Sequence, residues 1–97
     1  MIKFTWDEKK NQANIKKHGI SFDEAATVFF DVNALLIYDN PHSETEDCFI
    51  LLGISNKSNV LVVCHCYRDN EETIRIISAR KADKGETKDY YERGGQA

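Results

Sequence analysis

The chain has 97 residues, with 41% apolar and 30% charged side chains, a net charge of -3 and an isoelectric point near 5.5. That length supports one modest core, and that composition folds rather than staying disordered. No apolar run approaches the roughly 20 residues needed to span a bilayer. Met1 to Thr5 leads straight into a charged segment, without the apolar stretch of a signal peptide, so a single domain over residues 1–97 in the cytoplasm is expected.

The charge is unevenly spread. Residues 1–20 carry Lys3, Lys9, Lys10, Lys16 and Lys17 against Asp7 and Glu8. Residues 21–50 contain no Lys or Arg but hold Asp23, Glu24, Asp31, Asp39, Glu44, Glu46 and Asp47. The remainder is nearly balanced. An acidic total gives no global attraction to phosphate. Local basic surfaces can still meet RNA, while the acidic middle suits a basic partner. Three cysteines, Cys48, Cys64 and Cys66, in a chain without a signal peptide argue against a disulfide framework, so reduced thiols are expected.

In chain order, Ile2 to Thr5 reads as a short strand. Asp7 is a good N-cap for a polar helix from Glu8 to His18, which Gly19 ends. Ser21-Phe22-Asp23-Glu24 reads as a capping box, with the Glu24 carboxylate returning to the N-cap amide. Phe22, Ala25, Ala26, Phe29 and Phe30 then line one helix face. Strands are expected at Leu35–Tyr38, Phe49–Ile54, Val60–Tyr67 and Thr73–Ala79. Turns fall at Asn40–Ser43, Ser55–Asn59 and Arg68–Glu71, and Ala82 to Arg93 forms a last helix. The order β-α-α-β-β-β-β-α describes an α+β fold, an antiparallel sheet with its helices on one face.

Several groups of residues are candidates for chemistry. Lys17 and His18 lie at a helix C-terminus, where the dipole favours cations. They either transfer protons and bind phosphate, or simply complement the dipole. Arg75 sits inside an apolar strand, with Arg80 and Lys81 at its end. A cation there needs water, a phosphate or an acidic neighbour on its face. Guanidinium grips phosphate with two parallel hydrogen bonds and keeps its charge. Cys64-His65-Cys66 could hold a metal, but its spacing lacks the paired knuckles of a zinc site and reads better as buried thiols. His42 with Ser43, Glu44 and Glu46 is either an acid–base pair or a solvated loop. Trp6 and Tyr67 could stack on bases, although Trp6 beside the first helix suits a core anchor.

In combination, Trp6-Asp7-Glu8-Lys9-Lys10, Asn14-Ile15-Lys16-Lys17-His18-Gly19, Ser21-Phe22-Asp23-Glu24-Ala25-Ala26-Thr27-Val28-Phe29, Leu52-Gly53-Ile54-Ser55 and Arg75-Ile76-Ile77-Ser78-Ala79-Arg80-Lys81-Ala82 resemble the BrnT family of toxins. Glu86 and Tyr90-Tyr91-Glu92 extend the likeness to the end of the chain. The resemblance implies a RelE-like ribonuclease fold and RNA cleavage that inhibits translation. It also implies neutralisation by a BrnA antitoxin encoded adjacently, which supplies the DNA-binding part of a repressor complex. The working expectation is a metal-independent endoribonuclease without cofactor. In this reading His18, Lys17, Arg75, Arg80 and, in reserve, Glu46 act on the phosphate, and Lys10, Lys16, Arg68 and Lys81 bind RNA. The family usually carries Arg two residues after the Glu of a central E-x-R segment, but Glu46-Asp47 is followed here by Cys48. Arg68 and Arg75 are the candidates to take that role. A non-catalytic binding partner, acting only in repression, is the competing class.

Overall fold

The computed structural model describes residues 2–38, 47–68 and 72–94. Its elements are β1 (Lys3–Thr5), α1 (Glu8–His18), α2 (Phe22–Thr27) running into a 3-10 turn at Val28–Phe30, β2 (Leu35–Tyr38), β3 (Asp47–Ile54), β4 (Val60–Arg68), β5 (Thr73–Lys81) and α3 (Lys84–Arg93). Among the described residues five strands form one sheet in the order β1-β5-β4-β3-β2.

The α+β class is as expected, and β2 to β5 form the antiparallel meander that their short connections favour. The sheet as a whole is mixed. β1 lies parallel to β5, with Lys3 opposite Thr73 and Thr5 opposite Arg75. No hairpin joins β1 to β5, so nothing in the chain imposes an antiparallel pairing there. Phe4 anchors β1 by its ring contacts with Phe29 and Phe30, at 5.3 and 6.2 Å between centroids.

Alternation along the strands divides the sheet into two faces. Leu51, Leu61, Val63, Ile74, Ile76 and Ala79 point to one, where Ile20, Phe22, Ala25 and Val28 cover them to form the main core. The expected placement of helices on a single face holds for α1 and α2. α3 lies across the other face, where Tyr90 clusters with Leu52 and Val62. Its hydroxyl donates to Asp31 Oδ2 at 2.6 Å, and the same oxygen accepts the Ile54 N–H at 2.8 Å.

α1 docks through amides rather than an apolar stripe. Asp7 caps it by accepting from Lys9 N–H at 2.8 Å, and Gly19 ends it at φ 73°, the left-handed conformation glycine takes most readily. Asn11 and Asn14, three apart and both buried, face the sheet. Asn14 Nδ2 donates to the carbonyls of Ile20 and Ala79 at 2.8 Å each, and its Oδ1 accepts the Ala79 N–H at 3.2 Å. Asn11 Oδ1 accepts the Phe22 N–H at 2.8 Å.

At α2, Ser21 Oγ accepts the Glu24 N–H at 3.1 Å, which is half of the expected capping box. The other half is different. Glu24 is buried, and its carboxylate takes hydrogen bonds from Ser55 Oγ at 2.6 Å and Asn59 Nδ2 at 2.8 Å, clamping the β3–β4 turn to the helix. A buried carboxylate needs strong donors, and the turn supplies two. Gly53 is required by packing: a Cβ there would lie 2.7 Å from Val28 Cγ1 and 3.0 Å from Ala34 Cβ.

The expectation of reduced thiols does not hold for two of the three cysteines. Cys48 and Cys66 are directly opposite in the β3–β4 register, with Cα atoms 4.0 Å apart, and are joined as a disulfide. Eighteen residues separate them in sequence, so only the hairpin register brings them together.

Candidate functional site

The face that carries α3 also carries the arginines. The β4–β5 register places Arg80 opposite Val62, Ser78 opposite Cys64, Arg75 opposite Cys66 and Thr73 opposite Arg68. Arg75 and Arg80 are an odd number of residues apart, so a regular strand would turn them to opposite faces. The register shifts beside Cys64 and His65, leaving Ile77 without a strand partner. This bulge reverses the alternation and returns both arginines to one face. They remain on the order of 15 Å apart along the strand at the usual rise.

Arg68 and Arg75 are diagonal neighbours on β4 and β5, with Cα atoms roughly 7–8 Å apart by strand geometry. Arg68 is exposed and Arg75 half-buried. Among the described residues Arg75 makes no ion pair and no hydrogen bond through its guanidinium. The acidic neighbour that sequence alone left open for it is therefore not seen among them. Around Arg75 the face presents half-buried Cys64, exposed Ser78 and the buried Cys48–Cys66 pair.

Arg80 does have an acidic partner, and it comes from α3 rather than from the sheet. Its Nη1 and Nη2 donate to Glu86 Oε1 and Oε2, both at 2.8 Å, in the two-pronged geometry typical of guanidinium and carboxylate. Glu86 also accepts the Asp83 N–H at 2.9 Å, and Asp83 Oδ1 accepts the Glu86 N–H at 2.8 Å, completing a capping box at the start of α3. The Arg80 hydrogen bonds pull the Glu86 carboxyl down to about 2, and Glu86 in turn raises Arg80. Arg80 thus braces α3 against the sheet, and its fork meets phosphate only by exchanging this carboxylate.

The other basic candidates lie elsewhere. Lys10, Lys16 and Lys17 are exposed on α1, with Lys16, Lys17 and half-buried His18 in its last turn. Asn14, one helical turn before His18, bonds Ala79, which points to the α1 side of β5. Lys81 is exposed and shares its register position with Leu61, a residue of that same side. The structure therefore groups Arg68, Arg75 and Arg80 on one face, and Lys10, Lys16, Lys17, His18 and Lys81 on the other. Glu46, like His42, Ser43 and Glu44, lies outside the described residues.

His65 has a role that the Cys-His-Cys pattern did not suggest. It is fully buried on the α1–α2 side, with ring centroids 4.7 Å from Phe29, 5.2 Å from Tyr67 and 6.2 Å from Phe49. Nδ1 lies 3.3 Å from the Val63 carbonyl, and Nε2 has no hydrogen-bond partner among the described residues. Burial pushes its pKa down to about 4, so the imidazole is neutral at physiological pH. Tyr67 joins this aromatic cluster, and Trp6 packs edge-on against Phe22 at 6.1 Å. The thiols do not make the metal site considered for Cys64 and Cys66, since Cys66 is bonded to Cys48. Among the described residues no three His, Cys, Asp or Glu side chains are gathered to hold an ion.

A family model described as the ribonuclease toxin, BrnT, of type II toxin–antitoxin systems matches residues 6–86, most of the chain. The chain belongs to the BrnT family. The crystal structure of the Brucella abortus ribonuclease toxin BrnT is similar over 87% of this chain and 100% of that one, with a TM-score of 0.66 and 27% identity. No curated protein matches. The BrnT match covers both basic groups, from Lys10 on α1 to the Arg80–Glu86 pair. Sequence reasoning passed over Asn11 and gave Glu24 a local capping role in place of its bonds to Ser55 and Asn59. The i, i+3 spacing of Asn11 and Asn14 on a polar helix was the available signal for the first. Nothing local marks Glu24, whose donors are more than 30 residues away.

Proposed function

We propose that this BrnT-family chain is an active endoribonuclease toxin that cleaves RNA, inhibits translation and is neutralised by a BrnA-like antitoxin encoded beside it. The reaction is metal-independent attack of a ribose 2′-hydroxyl, losing its proton, on the adjacent phosphorus, with the P–O5′ bond breaking so that a 2′,3′-cyclic phosphate remains and the 5′-oxygen leaves as a protonated hydroxyl. Arg75 is the principal contact for the phosphate, with Arg68 beside it. The observation that carries this assignment is that Arg75 is a half-buried cation on the sheet with no carboxylate paired to it among the described residues. A guanidinium so placed stabilises the charge that grows on the phosphate oxygens in the transition state.

Arg80 contributes by holding α3, and touches phosphate only after releasing Glu86. Lys10, Lys16, Lys17 and Lys81 track the RNA backbone on the α1 side. His18 lies across the sheet from Arg75 and does not reach the phosphate that Arg75 contacts, so Glu46, the reserve base, is the group proposed for proton transfer. DNA is met only through the antitoxin, and the toxin acts in the cytoplasm. No helix among the described residues is long and apolar enough to cross a membrane.

The test is cleavage of a defined RNA by the purified chain in EDTA, with Arg75→Ala and Glu46→Ala as variants of verified fold. Arg75→Ala is expected to lose more than about tenfold in rate. An unchanged rate would remove Arg75 from the site. Cys48, buried in a disulfide where the family usually carries Arg, favours a second reading. In it the chain has lost cleavage and only accompanies a DNA-binding antitoxin. Folded protein that binds the antitoxin and leaves RNA intact would establish that alternative.

A further inference from the structure

The two edges of the sheet differ. β1 is three residues long and carries the exposed Lys3, features that discourage another strand from pairing. β2 is Leu35-Leu36-Ile37-Tyr38, without a charge or a proline, and among the described residues β3 is its one partner in the sheet. Leu36 and Ile37 are each 52% exposed, and as consecutive strand residues they point to opposite faces. An edge apolar on both sides, with no strand along its outer side among the described residues, is what sheet proteins avoid unless a partner covers it.

The sequence on either side of β2 indicates what kind of partner. Asp31 precedes β2, and Asp39, Glu44, Glu46 and Asp47 follow it in sequence, with no Lys or Arg anywhere from 21 to 50. A second copy of this chain pairing at β2 would bring two acidic segments together. A cationic strand would meet opposite charge.

We infer that the β2 edge is the surface on which the antitoxin docks, through an extended, basic segment that adds a sixth strand beside Leu36 and Ile37. Main-chain hydrogen bonds to β2 supply affinity. An apolar side chain on each face covers Leu36 and Ile37, and flanking Lys or Arg residues answer the acidic segment. This rests on the reading of the chain as a toxin with an antitoxin. It is separate from catalysis, since neither residue belongs to the proposed cleavage site.

The experiment titrates the purified chain with the purified protein encoded by the neighbouring reading frame, using the variants Leu36→Lys and Ile37→Lys. Ile2→Lys is the control, an equally exposed apolar residue preceding β1. Leu36→Thr and Ile37→Thr, which keep strand propensity, serve if the lysine variants fail to fold. Each β2 variant is expected to weaken binding by about tenfold or more, while Ile2→Lys leaves it unchanged and all variants keep the RNA-cleavage rate of the parent. Binding within twofold of the parent for both β2 variants would overturn the assignment. So would a parent chain that is dimeric by itself and becomes monomeric in Leu36→Lys, because the edge would then belong to a second copy. Loss of cleavage from the parent chain alone would count against the proposed activity and leave the docking result readable.

Discussion

Cys48 and Arg75 stand in one cross-strand row on the same face of the sheet, with Cys66 between them. At the usual strand spacing their Cα atoms are about 10 Å apart. By the resemblance, position 48 is where the family places an arginine, so that arginine would share a face with Arg75. Cys48→Arg is expected to raise RNA cleavage about tenfold or more, because it adds a cation beside the phosphate and breaks the disulfide. Cys48→Ser removes the disulfide without adding charge and separates the two effects. If Cys48→Arg cleaves no faster than Cys48→Ser, the row is not a phosphate site.

The Arg80–Glu86 pair makes stability depend on acid. Glu86 titrates at about 2 in the fold against an ordinary value of 4.5, so its carboxylate stabilises the fold fully above about pH 4.5. That contribution is lost as pH falls from there through about 2. Both side chains are partly exposed, 44% and 30%, which limits the pair to about 1 kcal/mol. Glu86→Gln retains the cap but not the charge. Its melting temperature should lie below that of the parent at pH 7 and approach it near pH 2. A constant gap across that range would show that the charge is irrelevant.

His65 should act in a different window. Its pKa is lowered from 6.5 to about 4 by burial, so the unfolded chain takes up a proton first. Stability held above pH 6.5 is therefore lost progressively as pH falls toward 4. The neutral ring donates from Nδ1 to Val63, packs against Phe29, Phe49 and Tyr67, and has no partner for Nε2 among the described residues. His65→Phe is expected to flatten the pH dependence between 6.5 and 4 in a denaturant titration. NMR should show the parent imidazole uncharged at pH 5. A ring that titrates near 6.5 would contradict its burial.

Asn14→Ala should be among the most damaging changes outside the proposed site. It leaves the Ala79 N–H and the carbonyls of Ile20 and Ala79 without this partner in a buried place. Each buried backbone group stripped of its partner costs about 1–3 kcal/mol. Chemical denaturation is expected to show a loss of at least about 2 kcal/mol. A loss below 0.5 kcal/mol, on the order of an ordinary surface substitution, would mean that α1 docks by other means.

What the sequence determined by itself is local. The Asp7 and Gly19 boundaries of α1, the Ser21 hydroxyl cap and the strands of the meander follow from capping chemistry, glycine's tolerance of positive φ and side-chain alternation. These depend on residues within a few positions of one another, and the family motifs are legible for the same reason. The tertiary structure alone decided which faces those elements share. One bulge at Ile77 turned Arg75 and Arg80 to the same side, although their odd spacing reads otherwise. A hairpin register set Cys48 against Cys66, and α1 was placed across the sheet from Arg75, which separated His18 from it. Glu24 left its own helix cap for Ser55 and Asn59 because burial and distant donors outweighed a local hydrogen bond. Register, face and burial are set by the packing of the whole sheet, and no window of neighbouring residues contains them.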